Sequence, residues 1–191
     1  MEEEKNSKAI SDVQSPFLAV CQIETPIGTM VGASTIKGLA LLEFGSLLQV
    51  SPQLDLLAEK IDCDWQLFEN DVFIKLRQEL QDYFKGDLKR FAVPLVPYGN
   101  AFSLMVWNVL QKIPYGKTWT YKYQAEFIGN PLAIRAIASA NGRNPIAIII
   151  PCHRVIGSNG SLTGYAGGIE RKRWLLRLES ENSPKSDGLL F

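Results

Sequence analysis

The sequence predicts an α+β chain in two parts, the first carrying a small antiparallel β-sheet with helices and the second mostly helical. Three observations predict it. Short apolar runs broken by turn residues fill the stretch from residue 17 to 45. Two later segments carry apolar residues at helical spacing. A short helix, a glycine turn and a second helix follow, the pattern of a helix-turn-helix.

Taken in order, residues 1–15 are polar and read as a tail. "FLAVCQIET" and "GTMVGASTIKGLALLEFG" read as two or three strands, separated by turns at Pro26-Ile27-Gly28 and Lys37-Gly38. In residues 70–86, Val72, Phe73, Leu76, Leu80, Tyr83 and Phe84 share one helical face, and Gly86 ends the helix. "FAVPLVPYGNAF" reads as an extended linker, which puts a domain boundary near residue 98: a first domain over 16–98, a second over 99–181 and a tail over 182–191. Phe102, Met105, Val106, Val109, Leu110 and Ile113 predict a core helix over 102–113. A helix over 121–128 ends at Gly129; Asn130-Pro131 then predicts an N-cap and first-turn proline for a helix running to about Asn141. On that second helix Ile134, Ile137, Ala138 and Asn141 fall on one side. Arg135, Ala136 and Ser139 fall on the other, flanked by Ala133 and Ala140. A face of small residues with one arginine either packs against protein or approaches another surface closely. "IAIII" reads as a buried strand or extended segment, "GSNGSLTGYAGG" as a loop, and "ERKRWLLRLE" as a basic C-terminal helix.

The chain is 191 residues long and 46% hydrophobic, enough for a substantial core. No apolar run approaches the length of a membrane span, and the N-terminus lacks the pattern of a secretory signal, so no membrane association is expected. Three scattered cysteines, Cys21, Cys63 and Cys152, point to a reducing compartment, the cytoplasm, or the nucleus in a eukaryote. Formal charge is zero, yet residues 1–100 hold 9 Lys/Arg against 15 Asp/Glu, while residues 101–191 hold 11 against 5. Either the two halves merely differ, or the second meets a polyanion.

The sole histidine, His153, stands beside Cys152 in "AIIIPCHRVIG". One histidine and three scattered cysteines do not make a zinc site, so no metal is expected. Cys152 could be a buried structural thiol. It could instead be a nucleophile, which needs a nearby base or cation because a free thiol at pKa ~8.5 is only about 3% ionised at neutral pH.

"PCHRVIG", preceded by "GRNPIAIII" and followed by "GYAGG", resembles the active-site signature of the O6-alkylguanine-DNA alkyltransferases, or methylated-DNA–protein-cysteine methyltransferases. "IPYGKTWTYKYQAEFIGNPLAIRAIASANGRNP" is similar to that family's helix-turn-helix, and "ETPIGTMVGASTIKGLALLEF" to the start of its N-terminal domain. The resemblance is strong over residues 102–179, moderate over 17–45 and weak between. It implies a ribonuclease H-like N-terminal domain and a winged helix-turn-helix in the C-terminal one.

The resemblance also implies roles. Cys152 is the nucleophile and alkyl acceptor, His153 its base through a water, and Glu179 the carboxylate behind the imidazole. Tyr121 hydrogen-bonds the departing guanine. Asn144 is the hinge asparagine. Arg135 fills the gap left by a base flipped out of the duplex, and Ala133 and Ala136 let the helix enter the minor groove. Val155, Tyr165, Ala166 and Gly167 line the base pocket; where some relatives carry a serine, Ala166 leaves only backbone contact. The implied partner is double-stranded DNA carrying O6-alkylguanine, or O4-alkylthymine, bound by a monomer. The implied reaction uses no cofactor and happens once per molecule. Members with an N-terminal zinc differ from this chain, which has no histidine there. The competing readings are a lesion-binding or regulatory helix-turn-helix protein without transfer, and a cysteine hydrolase.

Overall fold

A computed structural model describes residues 17–183. The tail expected at 1–15, and residues 184–191 of the tail expected at 182–191, lie outside the described residues. Asn182 follows the last helix as its C-cap, and the Ser183 hydroxyl donates to the Glu179 carbonyl at 2.8 Å.

The first half is a four-stranded sheet in the order β3-β2-β1-β4, built from β1 (Phe17–Ile23), β2 (Met30–Thr35), β3 (Gly38–Phe44) and β4 (Asp64–Leu67). The first three strands are antiparallel, whereas β4 runs parallel to β1. The sheet is therefore mixed, because α1 (Leu47–Lys60) returns the chain to the far edge of β1. α1 begins with a capping box between Ser46 and Gln49 and contains Pro52. The proline cannot donate to the Leu48 carbonyl; the Ser51 hydroxyl does so at 3.1 Å. β1 alternates between two cores. Leu18 and Val20 pack with Val50, Leu54 and Leu57 of α1. Ala19, Cys21 and Ile23 pack with Phe73, Leu76, Leu80 and Tyr83 of α2 (Asp71–Lys85). Burial on both faces explains the near-continuous apolar run of β1. Asn70 caps α2 by accepting from the Phe73 N–H, and Gly86, at φ 84°, closes it in the left-handed region.

The second core runs on without a break into the C-terminal half, through Val106, Trp107, Leu110, Ile137, Ala140, Ile146 and Ile150. α3 (Ala101–Leu110) is capped by Asn100. Met105, expected inside, is 41% exposed, and the indole of Trp107 takes the core instead, donating to the Ala140 carbonyl at 2.8 Å. α4 (Tyr121–Phe127) and α5 (Ile134–Gly142) form the helix-turn-helix. α5 starts later than Asn130-Pro131 suggested. Residues 130–133 form a turn, closed by the Ala133 N–H on the Asn130 carbonyl, and Ala133 caps without a side chain. Arg135, Ala136 and Ser139 are exposed; Ala140 faces the core and Ile134 is 36% exposed, the reverse of the expected sides.

"IAIII" is not a strand. Ile146 makes one parallel bridge to Leu42, and the chain then turns, with Ile148 at φ 70°. Residues 94–96 pair with Leu39 of the same strand, so the expected linker is docked on the sheet. Both segments cover the outer edge of β3. A 3-10 turn over Cys152–Arg154 leads to β6 (Val155–Ile156), which pairs in parallel with β5 (Trp119–Thr120). This two-residue ladder brings the start of α4 beside the Cys152 turn. α6 (Ile169–Glu181) closes the chain. Among the described residues no helix is long and apolar enough to cross a membrane.

Candidate active site

Cys152 and His153 cannot face each other in an extended strand, where neighbours point apart. The 3-10 turn removes that alternation and buries both, at 5% and 0% exposure. The turn is held from upstream by Asn144. Its carboxamide oxygen accepts from the Ile146 N–H at 3.1 Å, and its amide nitrogen donates to the Ile150 carbonyl at 2.7 Å. The same nitrogen lies 3.2 Å from the Cys152 Sγ. Asn144 thus braces the loop that carries the strained Ile148 and ends as a donor on sulfur. Burial pushes the Cys152 thiol up, and Asn144 and the nearby Lys172 ammonium offset this only in part. The resting thiol is protonated and needs a base to react.

The imidazole is fixed from the other side. His153 Nε2 lies 2.8 Å from Glu179 Oε1 on α6. A carboxylate there assigns the proton to Nε2 and leaves Nδ1 as an acceptor. Nδ1 is buried and has no partner among the described residues. Burial lowers the His153 pKa; Glu179 works against that, while Arg154 and Lys172 add to it. The result is a neutral imidazole with a free lone pair.

Glu179 is the most heavily bonded group here. Its Oε1 accepts from His153, from the Tyr83 hydroxyl at 2.8 Å and from Arg154 Nη2 at 3.0 Å. Its Oε2 accepts from Arg154 Nε at 2.9 Å and the Gly116 N–H at 3.1 Å. Burial would raise this carboxyl, but His153 and Arg154 outweigh burial and hold it far below the usual carboxylate range. Arg154 itself is buried, with Nη1 donating to the Ile113 carbonyl at 2.6 Å. Motif position alone gave no role to Arg154 or Tyr83. The available signal was an arginine directly after the Cys-His pair, inside a buried run.

The remaining expected residues surround this centre. Val155 and Tyr165 are buried, and the Tyr165 ring meets the His153 ring edge-on at 6.4 Å. The Tyr165 hydroxyl is another buried group without a partner among the described residues. Ala166 is exposed and Gly167 half-buried. A Cβ on Gly167 would lie 2.7 Å from Tyr165 and 2.8 Å from Phe44, so only glycine fits. Tyr121 stands over the loop, its hydroxyl donating to the Thr163 carbonyl at 3.2 Å. Arg135, Ala133 and Ala136 belong to α5, outside this cluster. Two residues without an expected role shape the loop. Lys172 is fully buried and donates to the Val155 and Thr163 carbonyls, both at 2.6 Å. Burial lowers its pKa to about 8. Arg171 donates to the Ile27 carbonyl at 2.7 Å and the Gly167 carbonyl at 2.9 Å, lying over the Phe44 ring, and so ties the loop to the N-terminal sheet. Cys21 lies apart, its thiol pushed up to about 12 by burial. Among the described residues no group of three or more His, Cys, Asp or Glu side chains gathers as a metal site.

Residues 101–181 match the family model described as 6-O-methylguanine DNA methyltransferase, DNA binding domain, and residues 21–97 match the ribonuclease-like domain of the same family. A methylated-DNA–protein-cysteine methyltransferase of Methanosarcina barkeri is 48% identical over 161 residues, covering 84% of this chain and 96% of its own. A solved variant of the Mycobacterium tuberculosis O6-methylguanine methyltransferase superposes with a TM-score of 0.76 at 41% identity, over 90% of this chain and 98% of that one. The M. tuberculosis protein in complex with DNA gives 0.73 at 40% identity, over 87% and 96%. With each half matched, and with relatives this similar along almost their whole length, the chain belongs to the 6-O-methylguanine DNA methyltransferase family.

Proposed function

We propose that this protein repairs alkylated DNA by moving the alkyl group from O6 of guanine to the Sγ of Cys152, once per molecule. The observation that carries the proposal is the orientation of the sole histidine. Its Nε2 is locked on Glu179 and its Nδ1 is left free within a site whose buried thiol must lose a proton to react. The reaction is a displacement at the alkyl carbon. The S–C bond forms as the C–O6 bond breaks, the thiol proton passes through a water to His153 Nδ1, and guanine leaves with the displaced electron pair. Asn144 stabilises the developing thiolate, and Lys172 supplies positive charge nearby. Tyr121 hydrogen-bonds the departing base after exchanging its present partner, the Thr163 carbonyl. The base lies between Val155 and the Tyr165-Ala166-Gly167 backbone.

A guanine within a duplex cannot reach a thiol buried in this way, so the nucleotide is flipped out. The exposed, small-residue surface of α5 around Ala133 and Ala136 supports close approach to the minor groove, with Arg135 reaching into the stack. Phosphate contacts then supply most of the affinity, which falls with salt and depends little on sequence. The protein acts as a monomer over 16–98 and 99–181 as two domains, without cofactor, in the cytoplasm or nucleus.

The test is an intact mass after incubation with a duplex containing O6-methylguanine. One methyl is gained on Cys152, and none after Cys152→Ala. Retained lesion binding with no mass change would refute transfer and favour a lesion-recognition protein.

A further inference from the structure

We infer that Tyr83, from α2 in the N-terminal half, is a positioning residue of the Cys152–His153–Glu179 relay, and that its hydroxyl sets how strongly Glu179 draws a proton onto the imidazole. This rests on the relay proposed above. Tyr83 is fully buried and lies 96 residues from Glu179 in sequence, yet its hydroxyl donates to Oε1 at 2.8 Å, the oxygen that also holds His153 Nε2. The phenol is aimed by packing. Its ring is flanked by Phe84 at 5.5 Å, Phe91 at 5.3 Å and Tyr115 at 6.0 Å. Burial, with Glu179 next, keeps it protonated and therefore a permanent donor.

Each donor on Oε1 draws negative charge away from the imidazole. Arg154 grips both oxygens and so anchors the carboxylate as a whole. Tyr83 acts on Oε1 alone, in direct competition with His153. Without its hydroxyl, more charge stands at Oε1 and the imidazolium is favoured. The charged and titratable groups around His153 and Glu179 are Cys152, Arg154, Tyr165, Lys172, Tyr115 and Tyr83. Among them Tyr83 is the one contributed by the sheet-bearing half. The N-terminal half therefore acts on the chemistry itself, beyond supporting the loop.

His153 is the only histidine in the chain, so a histidine labelled with nitrogen-15 gives a single imidazole signal from the full-length protein. Tyr83→Phe is expected to raise its proton affinity about three- to tenfold, half to one pH unit. It should also move the Nε2–H proton downfield as the bond to Oε1 strengthens. Single-turnover rates with free O6-benzylguanine should show an acid limb displaced upward by the same amount. Phe84→Leu loosens the packing of the same ring but keeps the hydroxyl, and should shift the imidazole titration clearly less than Tyr83→Phe does. Placing 3-fluorotyrosine at position 83 strengthens the donor and should move the signals the opposite way; it serves if Tyr83→Phe does not fold. An imidazole that titrates identically with tyrosine, phenylalanine and 3-fluorotyrosine at position 83 overturns the inference, as does an equal shift in Phe84→Leu. Imidazole shifts in a protein that transfers no alkyl group would support the coupling and refute the proposed reaction separately.

Discussion

Replacing Glu179 by glutamine isolates the charge of the relay from its shape. Five donor contacts converge on the carboxylate, three on Oε1 and two on Oε2. A glutamine keeps one oxygen and puts an NH2 in place of the other. If the amide nitrogen takes the Oε2 position, it meets Arg154 Nε and the Gly116 N–H. In the opposite orientation it meets His153, Tyr83 and Arg154 Nη2. Either way at least two donors face a donor, and the Arg154 guanidinium becomes a buried cation without a counter-charge. Breaking such a pair from one side costs about 3–5 kcal/mol. At roughly 2–4 °C per kcal/mol for a chain of this size, the melting temperature at pH 7 falls by about 6–20 °C. The pH dependence has a sign. The Glu179 carboxyl is held low in the folded protein, so its contribution is complete above the unfolded value of about 4.3 and is lost as pH falls below it. His153 is also held low, so both proteins begin to lose stability below about 6.5. Between those values the variant loses slightly more, because its imidazolium has no carboxylate. Below about 4.3 the gap closes, since glutamine has nothing left to titrate. Thermal melting from pH 3 to 8 measures all of this. Alkyl transfer should fall roughly a hundredfold through the weakened base. A drop of less than about 2 °C at pH 7, or a gap that keeps widening down to pH 3, would refute the reasoning.

Asn144→Ala removes the donor on Sγ and the brace of the following turn. The thiol pKa should rise and the transfer rate fall about tenfold or more, with its limb moved to higher pH, as stopped-flow single turnovers would show. Lys172→Met leaves the Val155 and Thr163 carbonyls without their buried donor, and chemical denaturation should show a loss of about 2–4 kcal/mol. Gly167→Ala drives a methyl into Tyr165 and Phe44; benzylguanine reactivity should fall while stability drops by about 1–3 kcal/mol. Arg135→Ala should slow repair of a duplex lesion much more than reaction with the free base, and equal losses would argue against a role in flipping.

Local pattern made some of these elements legible and left others hidden. β1 to β3, α2 and α3 follow from short apolar runs, turn residues and helical periodicity, all properties of contiguous chain. α1 was hidden by Pro52, which a serine hydroxyl accommodates. The start of α5 is not legible because Asn130 serves a turn rather than a cap, and the burial of Ala140, at the flank of the expected outer face, is not legible because alanine carries little facing information. "IAIII" is apolar enough for a strand, but Asn144 turns it. At the site, the motif pointed to Cys152, His153 and Glu179, and the structure brings the imidazole and carboxylate together and seats the thiol under Asn144. The donors around Glu179 were not legible. Tyr83 reads simply as one more apolar position on α2, and nothing within a helix reports which distant element its hydroxyl will meet.

The covered edge of β3 has a consequence for synthesis. The chain emerges from its N-terminus, so β1, β2 and β3 can pair well before their outer edge is closed. That edge is first partly covered by residues 94–96 and receives the last segment only when residues 145–147 arrive. Cys152, the proposed alkyl acceptor, lies just beyond that closing segment. A nascent chain therefore carries an unpaired strand edge through most of its synthesis, and the thiol acquires its surroundings only once that hazard has passed.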